Sequence, residues 1–192
     1  PFASLPDKDV VDNSITFKAI SKTFSLAAHK NAYWFSTNPV LVNRIKYNHR
    51  VDLNTLGIVA NEAAYREGGE WVDQLMDYID ANHSYVEAYM SERLPGMSYT
   101  KAQGTYLAWV DVSGLMDAID AHGISAASQS SDNPMLPSNV MEKWLVENAG
   151  VQLNPGASYG LGGEQHMRMN LGAPRPLIKI ALDSLGEAID KV

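Results

Sequence analysis

The chain has 192 residues, 45% hydrophobic and 19% charged, an ordinary globular composition with enough apolar material for a sizeable core. Its net charge of −7 argues against a nucleic-acid surface, which needs clustered Lys and Arg. It has no cysteine, which excludes disulfides, thiolate metal sites and Cys nucleophiles and fits a reducing compartment.

The opening Pro1-Phe2-Ala3-Ser4-Leu5-Pro6 lacks an initiator Met and any basic-then-apolar leader. It reads as an entry into the middle of a longer protein. Residues 1–13 are expected to be a loop leading into a short helix or turn. Ser14–Ile20 alternates and is β-rich, which predicts a strand. Ser21–Ala28 reads as a loop or short turn, and Tyr33–Ser36 as a second strand. Asn38-Pro39 is a helix start, a cap residue followed by proline at the first helical position. Val40, Leu41, Ile45 and Tyr47 lie on that helix. Thr55–Arg66 is Ala-rich and apolar, which suggests a buried helix, and Gly68-Gly69 breaks it.

From Glu70 to Leu94, Trp71, Leu75, Tyr78, Ile79, Tyr85, Val86, Tyr89 and Met90 recur mostly at three- and four-residue steps, as one helix face requires. Pro95-Gly96 ends that helix. Ser98–Thr100 and Thr105–Val112 read as strands turned at Gln103-Gly104. Ser113 caps a helix to about Ala121. The Ser-rich stretch 122–137 is expected to be a mobile loop. Ser138 caps a helix over Asn139–Asn148, stopped by Gly150. Val151–Asn154 is a short strand, Pro155–Gly163 a loop, and His166–Leu171 a strand. Pro176 opens the last helix. No internal repeat is present, and no apolar run approaches the ~20 residues of a membrane span.

Two residues carry candidate chemistry. Lys22 follows a β-rich segment in a Ser/Thr-rich turn. A lysine at a strand end can enter a pocket and become a nucleophile toward a carbonyl. Taken alone, it reads as a surface lysine. Arg168 lies between Met167 and Met169. At an inward strand position it needs an anionic partner, and a guanidinium binds a carboxylate through two parallel hydrogen bonds. A structural ion pair or an outward side chain is the competing reading.

Other patterns point nowhere specific. The glycine loop Asn154–Gly163 is a poor phosphate cradle, because no Lys-Ser/Thr follows and a strand comes next. His29, His49, His83, His122 and His166 lie too far apart in sequence for a helical metal pair. No Gly-x-Ser-x-Gly elbow is present.

Four motifs in order resemble the aminotransferase class I/II superfamily of fold-type I pyridoxal 5′-phosphate (PLP) enzymes, and within it the cystathionine β-lyase-like C–S lyases. They are Ser21-Lys22-Thr23-Phe24-Ser25-Leu26-Ala27; Asn61–Tyr65 leading to Gly69–Leu75; Gln103–Asp111, similar to Gly-Thr-Tyr-Leu-x-Trp-x-Asp; and Pro155-Gly156-x-x-Tyr159-Gly160 followed by Arg168-Met169-Asn170-Leu171-Gly172. The resemblance covers nearly the whole chain.

The resemblance implies an α/β chain: the C-terminal part of a PLP-transferase large domain over 1–69, then a linking helix and a small α+β domain over 70–192 with a short, mostly antiparallel sheet. It implies Lys22 as the Schiff-base lysine and α-carbon proton shuttle, and Arg168 as the holder of the substrate α-carboxylate. Ser21 and Lys30 would help hold the cofactor phosphate, and Tyr106 and Trp109 would belong to the small-domain core. Departures fall around the lysine: Ala19 stands where the family has Ser, Ser25 where the lyases have Asn, Ala28 where Gly is frequent, and Lys30 where an Arg or polar residue is frequent. The phosphate loop, the ring-stacking aromatic and the ring-binding Asn and Asp precede the lysine in this family and have no counterpart in the chain.

The expected function is therefore PLP-dependent C–S β-elimination on a cysteine-type amino acid such as cystathionine, in amino-acid metabolism, by an enzyme of which this chain is a C-terminal fragment. Transamination shares the same lysine, arginine and cofactor. A non-catalytic truncated domain is the alternative of another class. The expected partners are a small amino-acid substrate and a second copy in a homodimer, with no nucleic acid and no membrane, in the cytoplasm.

Overall fold

The computed structural model describes residues 2–48 and 53–192, so His49 lies outside the described residues. The chain divides into two compact units, Pro1–Leu75 and Met76–Val192, and the division falls inside a single long helix.

In the first unit Asp7 caps α1 (Lys8–Asp12), accepting from the Asp9 and Val10 amides at 3.0 and 3.3 Å. The alternating segment that follows gives β1 (Thr16–Ala19), antiparallel to β2 (Ala32–Phe35). Between them lie the one-turn helix α2 (Ile20–Thr23) and a 3-10 turn, Ala27–His29, where sequence suggested only a loop or turn. Asn38 caps α3 (Pro39–Asn48), its Oδ1 accepting from Val40 N at 2.9 Å, and Asn54 caps α4 (Thr55–Glu67).

Helix α4 is not buried as expected. Leu56, Ile58 and Val59 are exposed, and Gly57 is its buried position. Among the described residues, Val11 and Ile20 are the buried apolar side chains of this unit. Its best packing is aromatic: Phe24 meets Tyr65 edge-on at 5.7 Å and stacks on Trp71 at 6.1 Å, and Tyr65 meets Tyr33 at 5.8 Å.

Helix α5 (Gly69–Arg93) runs to within a residue of its sequence-expected ends. Ile79, Asn82, His83, Val86 and Met90 are its buried positions, spaced as one helical face. In the second unit that face joins a core with β3 (Leu107–Asp111), β5 (His166–Asn170) and α9 (Arg175–Ile189), which contributes Ile178, Leu182, Leu185 and Ile189. The sheet order is β3-β5-β4, all antiparallel, with β4 limited to Asn154–Pro155. Ser98–Thr100 makes one bridge, Ser98 to Asp111, rather than a strand.

Two further expectations give way. The stretch expected as a mobile loop contains α7 (Ala121–Ser128), capped by Asp120, which accepts from Gly123 N. Ala121 and Ser125 on one face are buried, so tertiary burial overrides the Ser-rich composition. Ahead of it lies α6 (Ser113–Ala118). Ser138 is not a cap: α8 (Pro137–Trp144) starts one residue earlier, with Ser138 buried inside it. A π-helical turn, Leu145–Ala149, follows and stops at left-handed Gly150 (φ 65°). No helix among the described residues is long and apolar enough to cross a membrane.

Candidate active site

The lysine segment begins where β1 ends. Ala19 is still extended, and the chain turns directly into α2, whose buried Ile20 anchors it. Lys22 occupies the exposed last turn, and Ser21 is half-buried beside it. Lys30 ends the following 3-10 turn in the left-handed region at φ 47° and is exposed. The ammonium groups of Lys22 and Lys30 and the Ser21 hydroxyl have no hydrogen-bond or ion-pair partner among the described residues. Ser25 is also left-handed, at φ 55°. Asn tolerates that conformation better than Ser, which accounts physically for the Asn expected at this position.

Arg168 sits in the other unit, on β5. Sequence left an inward and an outward position open for it between two methionines. The period of a strand buries Met167 and Met169 and turns Arg168 to the opposite face of the sheet. There it is paired across the sheet with Trp109 of β3 on one side and Asn154 of β4 on the other. Its Nη2 donates to Asn154 Oδ1 at 3.0 Å, and its Cζ lies 4.9 Å from the centre of the Tyr159 ring. Its Nε is buried without a partner among the described residues. A buried donor left unpaired costs free energy until something accepts from it.

Trp109 is half-exposed rather than core. It stacks on His166 at 5.5 Å and meets Tyr159 edge-on at 5.7 Å. The turn that carries Tyr159 is drawn in tightly: a Cβ on Gly156 would meet Gly163 O, and also His166 O at 2.6 Å. Asp111 lies opposite His166 across the sheet. Its carboxyl is held below its ordinary value by hydrogen bonding from Ser113, with a smaller contribution from His166. None of Trp109, Asn154, Tyr159 or His166 was singled out by chemistry in the sequence. The cross-strand register that gathers them is a tertiary fact; a matched two-residue period in the two strands was the available hint.

The strand that carries Arg168 is tied to α5 by buried polar groups. Asn82 Nδ2 donates to Leu171 O at 2.9 Å and Ala173 O at 3.1 Å, and its Oδ1 accepts from Arg175 Nε at 2.6 Å. Arg175 also lies 4.7 Å over the Tyr85 ring. The buried His83 closes a second knot. A carbonyl only accepts, so Nε2–H donates to Thr105 O (3.0 Å). Nδ1 then accepts from the Tyr99 hydroxyl (2.6 Å), whose oxygen accepts from Ala102 N (2.9 Å). Burial pushes the Tyr99 phenol up. Among the described residues, no group of three His, Cys, Asp or Glu is placed to hold a metal ion.

No family model matches the chain. Cystathionine β-lyase PatB of Bacillus subtilis is 33% identical over 195 residues, 98% of this chain and 45% of the relative. Protein MalY of Escherichia coli is 28% identical over 90% of this chain and 40% of its own length. Cystalysin of Treponema denticola, a structure containing a PLP cofactor, superposes with a TM-score of 0.80 at 28% identity, over 96% of this chain and 43% of that one. The chain is similar in sequence to cystathionine β-lyases and in fold to a structure that contains PLP. It spans less than half the length of the relatives it matches.

The lysine segment fits that cofactor. PLP brings an aldehyde for an amine and a phosphate for cations and hydroxyls. The segment offers one exposed, unpartnered amine at Lys22 and two further unengaged groups, at Ser21 and Lys30. Ala19 and Ala28 add no polar group, so the phosphate donors this chain supplies are few.

Proposed function

We propose that the chain is the lysine- and arginine-bearing part of a PLP-dependent C–S β-lyase that acts on cysteine-type amino acids such as cystathionine. In this reading residues 1–69 belong to the large cofactor-binding domain, and residues 70–192 form the linking helix and small domain. The observation that carries it is Lys22, an unpartnered amine in the one-turn helix that follows β1, in a chain that is 33% identical to PatB over 98% of its length.

PLP, when bound, supplies the electron sink for charge left at the substrate α-carbon. With PLP bound, Lys22 Nζ would be the amine that holds its aldehyde carbon. As a free amine it would take the proton from the substrate α-carbon, and that proton can leave with the departing sulfur as a thiol. Ser21 and Lys30 hold the phosphate, Lys30 as a point charge. Arg168 receives the α-carboxylate through the terminal guanidinium N–H groups that Asn154 leaves open. β-Elimination then releases a thiol, and water converts the remainder to ammonia and an oxo acid.

The reading includes a homodimer in the cytoplasm. The full-length protein, loaded with PLP and given cystathionine, is expected to release thiol and pyruvate and to sediment as a dimer. Lys22→Ala is expected to abolish turnover and the cofactor's protein-bound absorbance band. Amino transfer to an added oxo acid without thiol release would replace this reading with transamination. An unaltered absorbance band in Lys22→Ala would refute the role of Lys22.

A further inference from the structure

We propose that Tyr159 is the positioning residue of the carboxylate-binding arginine, its ring fixing the plane of the Arg168 guanidinium before any ligand arrives. This rests on the reading of Arg168 as the carboxylate anchor and adds to it an uncharged residue that acts through Arg168.

The argument starts from what Arg168 lacks. A guanidinium on a flexible stem binds a carboxylate well only when its plane is set, and ordering the stem on binding costs affinity. Asn154 tethers it at one point, Nη2, which leaves rotation about that contact. Among the described residues, no carboxylate forms an ion pair with Arg168 to supply a second constraint. The second constraint is a ring: Tyr159 lies 4.9 Å from Cζ, within the range where a π-face attracts a cation. A point tether and a face contact together define a plane.

Tyr159 is itself held. Trp109 meets its ring edge-on, and His166 stacks behind Trp109 at an interplanar angle of 14°. Trp109 and Arg168 face each other across β3 and β5, so the sheet register sets the spacing that Tyr159 closes. The turn bearing Tyr159 is closely packed: Gly156 sits against Gly163 O, His166 O and the Trp109 ring with no space for a side chain. Ser158 Oγ adds a bond to Pro155 O at 2.7 Å. Tyr159 is 52% exposed and its phenol has no partner among the described residues, so the ring rather than the hydroxyl makes the contacts. The arrangement leaves Nε as the unsatisfied donor on a guanidinium of fixed plane. A carboxylate meets the guanidinium with a full charge and two acceptor oxygens, and an uncharged amide of the same shape brings one acceptor and no charge.

The test uses the full-length, PLP-loaded enzyme with propionate and propionamide as competing ligands of the same shape. Tyr159→Leu is expected to weaken propionate inhibition roughly three- to tenfold, the range for loss of one partly desolvated cation–π contact. Propionamide inhibition and the cofactor absorbance band should stay unchanged. Tyr159→Phe is expected to restore the propionate constant, because the ring suffices. Arg168→Lys runs beside them. If it weakens propionate while Tyr159→Leu does not, the positioning role falls and the carboxylate role of Arg168 stands. If Arg168→Lys leaves propionate inhibition intact, both fall. Equal damage from Phe and Leu, or loss of the absorbance band in Leu, would overturn the proposal in favour of a hydroxyl or general structural role. Should Tyr159→Leu fail to fold, Tyr159→Trp decides: propionate binding at least as tight as wild type supports the ring, and binding weakened tenfold overturns it.

Discussion

At the scale of single residues, the chemistry divides between groups that can act on a ligand and groups that only hold the scaffold still. Asn82 is the clearest of the second kind. It is fully buried, and its three hydrogen bonds reach Leu171, Ala173 and Arg175 from the middle of α5. Replacement by Ala strands two carbonyls and one guanidinium N–H in the interior, a loss of about 2–4 kcal/mol. Asn82→Asp keeps the acceptor for Arg175 but turns a carboxylate onto two carbonyl oxygens, so it should be at least as damaging. Urea unfolding of the two variants measures this; an Asp variant as stable as wild type would show that the two carbonyl bonds contribute nothing. Lys22 and Arg168 were singled out in the sequence as candidates by motif order. Asn82 was not, because a polar residue on a helix looks solvated until the opposite face is known. Tyr159 was quoted as part of a motif but given no role, since its contact with Arg168 depends on how the turn folds back.

At the scale of elements, what could be read locally was read well. The ends of α5, the Asn38 cap of α3 and the glycine stop after Ala149 follow from side-chain periodicity and cap chemistry within a few residues. Helix α7 escaped because its Ser-rich sequence hides a face that only packing buries, and the strand read over Val151–Asn154 is reduced to its end, Asn154–Pro155, because only there does it pair with β5. The junction of β3 and α6 shows an element held by a charge. Asp111 Oδ1 accepts from Ser113 N at 2.8 Å at the helix start, and hydrogen bonding from Ser113 leads the causes that depress its carboxyl below the ordinary 3.8. A carboxyl with a lower pKa folded than unfolded binds its proton more weakly in the folded state. Its stabilisation is fully present above the unfolded value and is lost as pH falls through the folded one. Asp111→Asn removes the charge and this dependence with it. The gap in urea midpoint between wild type and variant should hold steady from about pH 7 to pH 5 and close below about pH 4. A gap still constant at about pH 3 would mean that the charge contributes nothing at this junction.

At the scale of the whole chain, the two units differ in how they can be stable. Met76–Val192 owns a contiguous core in which Met90, Leu145, Met167, Leu171, Leu182 and Leu185 are essentially solvent-free, each contributing about 1.5–3 kcal/mol. Among its described residues, Pro1–Leu75 buries the apolar side chains Val11 and Ile20 and leaves Phe17, Val40, Leu56 and Val59 more than half exposed. Two such side chains offset the ordering of only a few residues at about 1–2 kcal/mol each. Its capped helices, paired strands and aromatic contacts are correct local structure with little tertiary burial beneath them. The sequence showed the elements of both units equally well; it hid this imbalance, because apolar content is the same whether the apolar face is covered or bare. Hydrogen exchange on the 192-residue chain should expose the difference. Amides of β3, β5, α9 and the Ile79–Arg93 part of α5 should exchange only through cooperative opening of the second unit. Amides of β1, β2 and α4 should exchange through local opening, at least about a hundredfold faster after correction for intrinsic rates. The decisive place is α5 itself, one continuous helix in which Gly69–Leu75 carries no buried side chain and the rest does. Uniform protection along α5 would mean that helix propensity, not burial, sets its stability. A step in protection near Leu75 would mean that the helix is stable only where the second unit's core covers it.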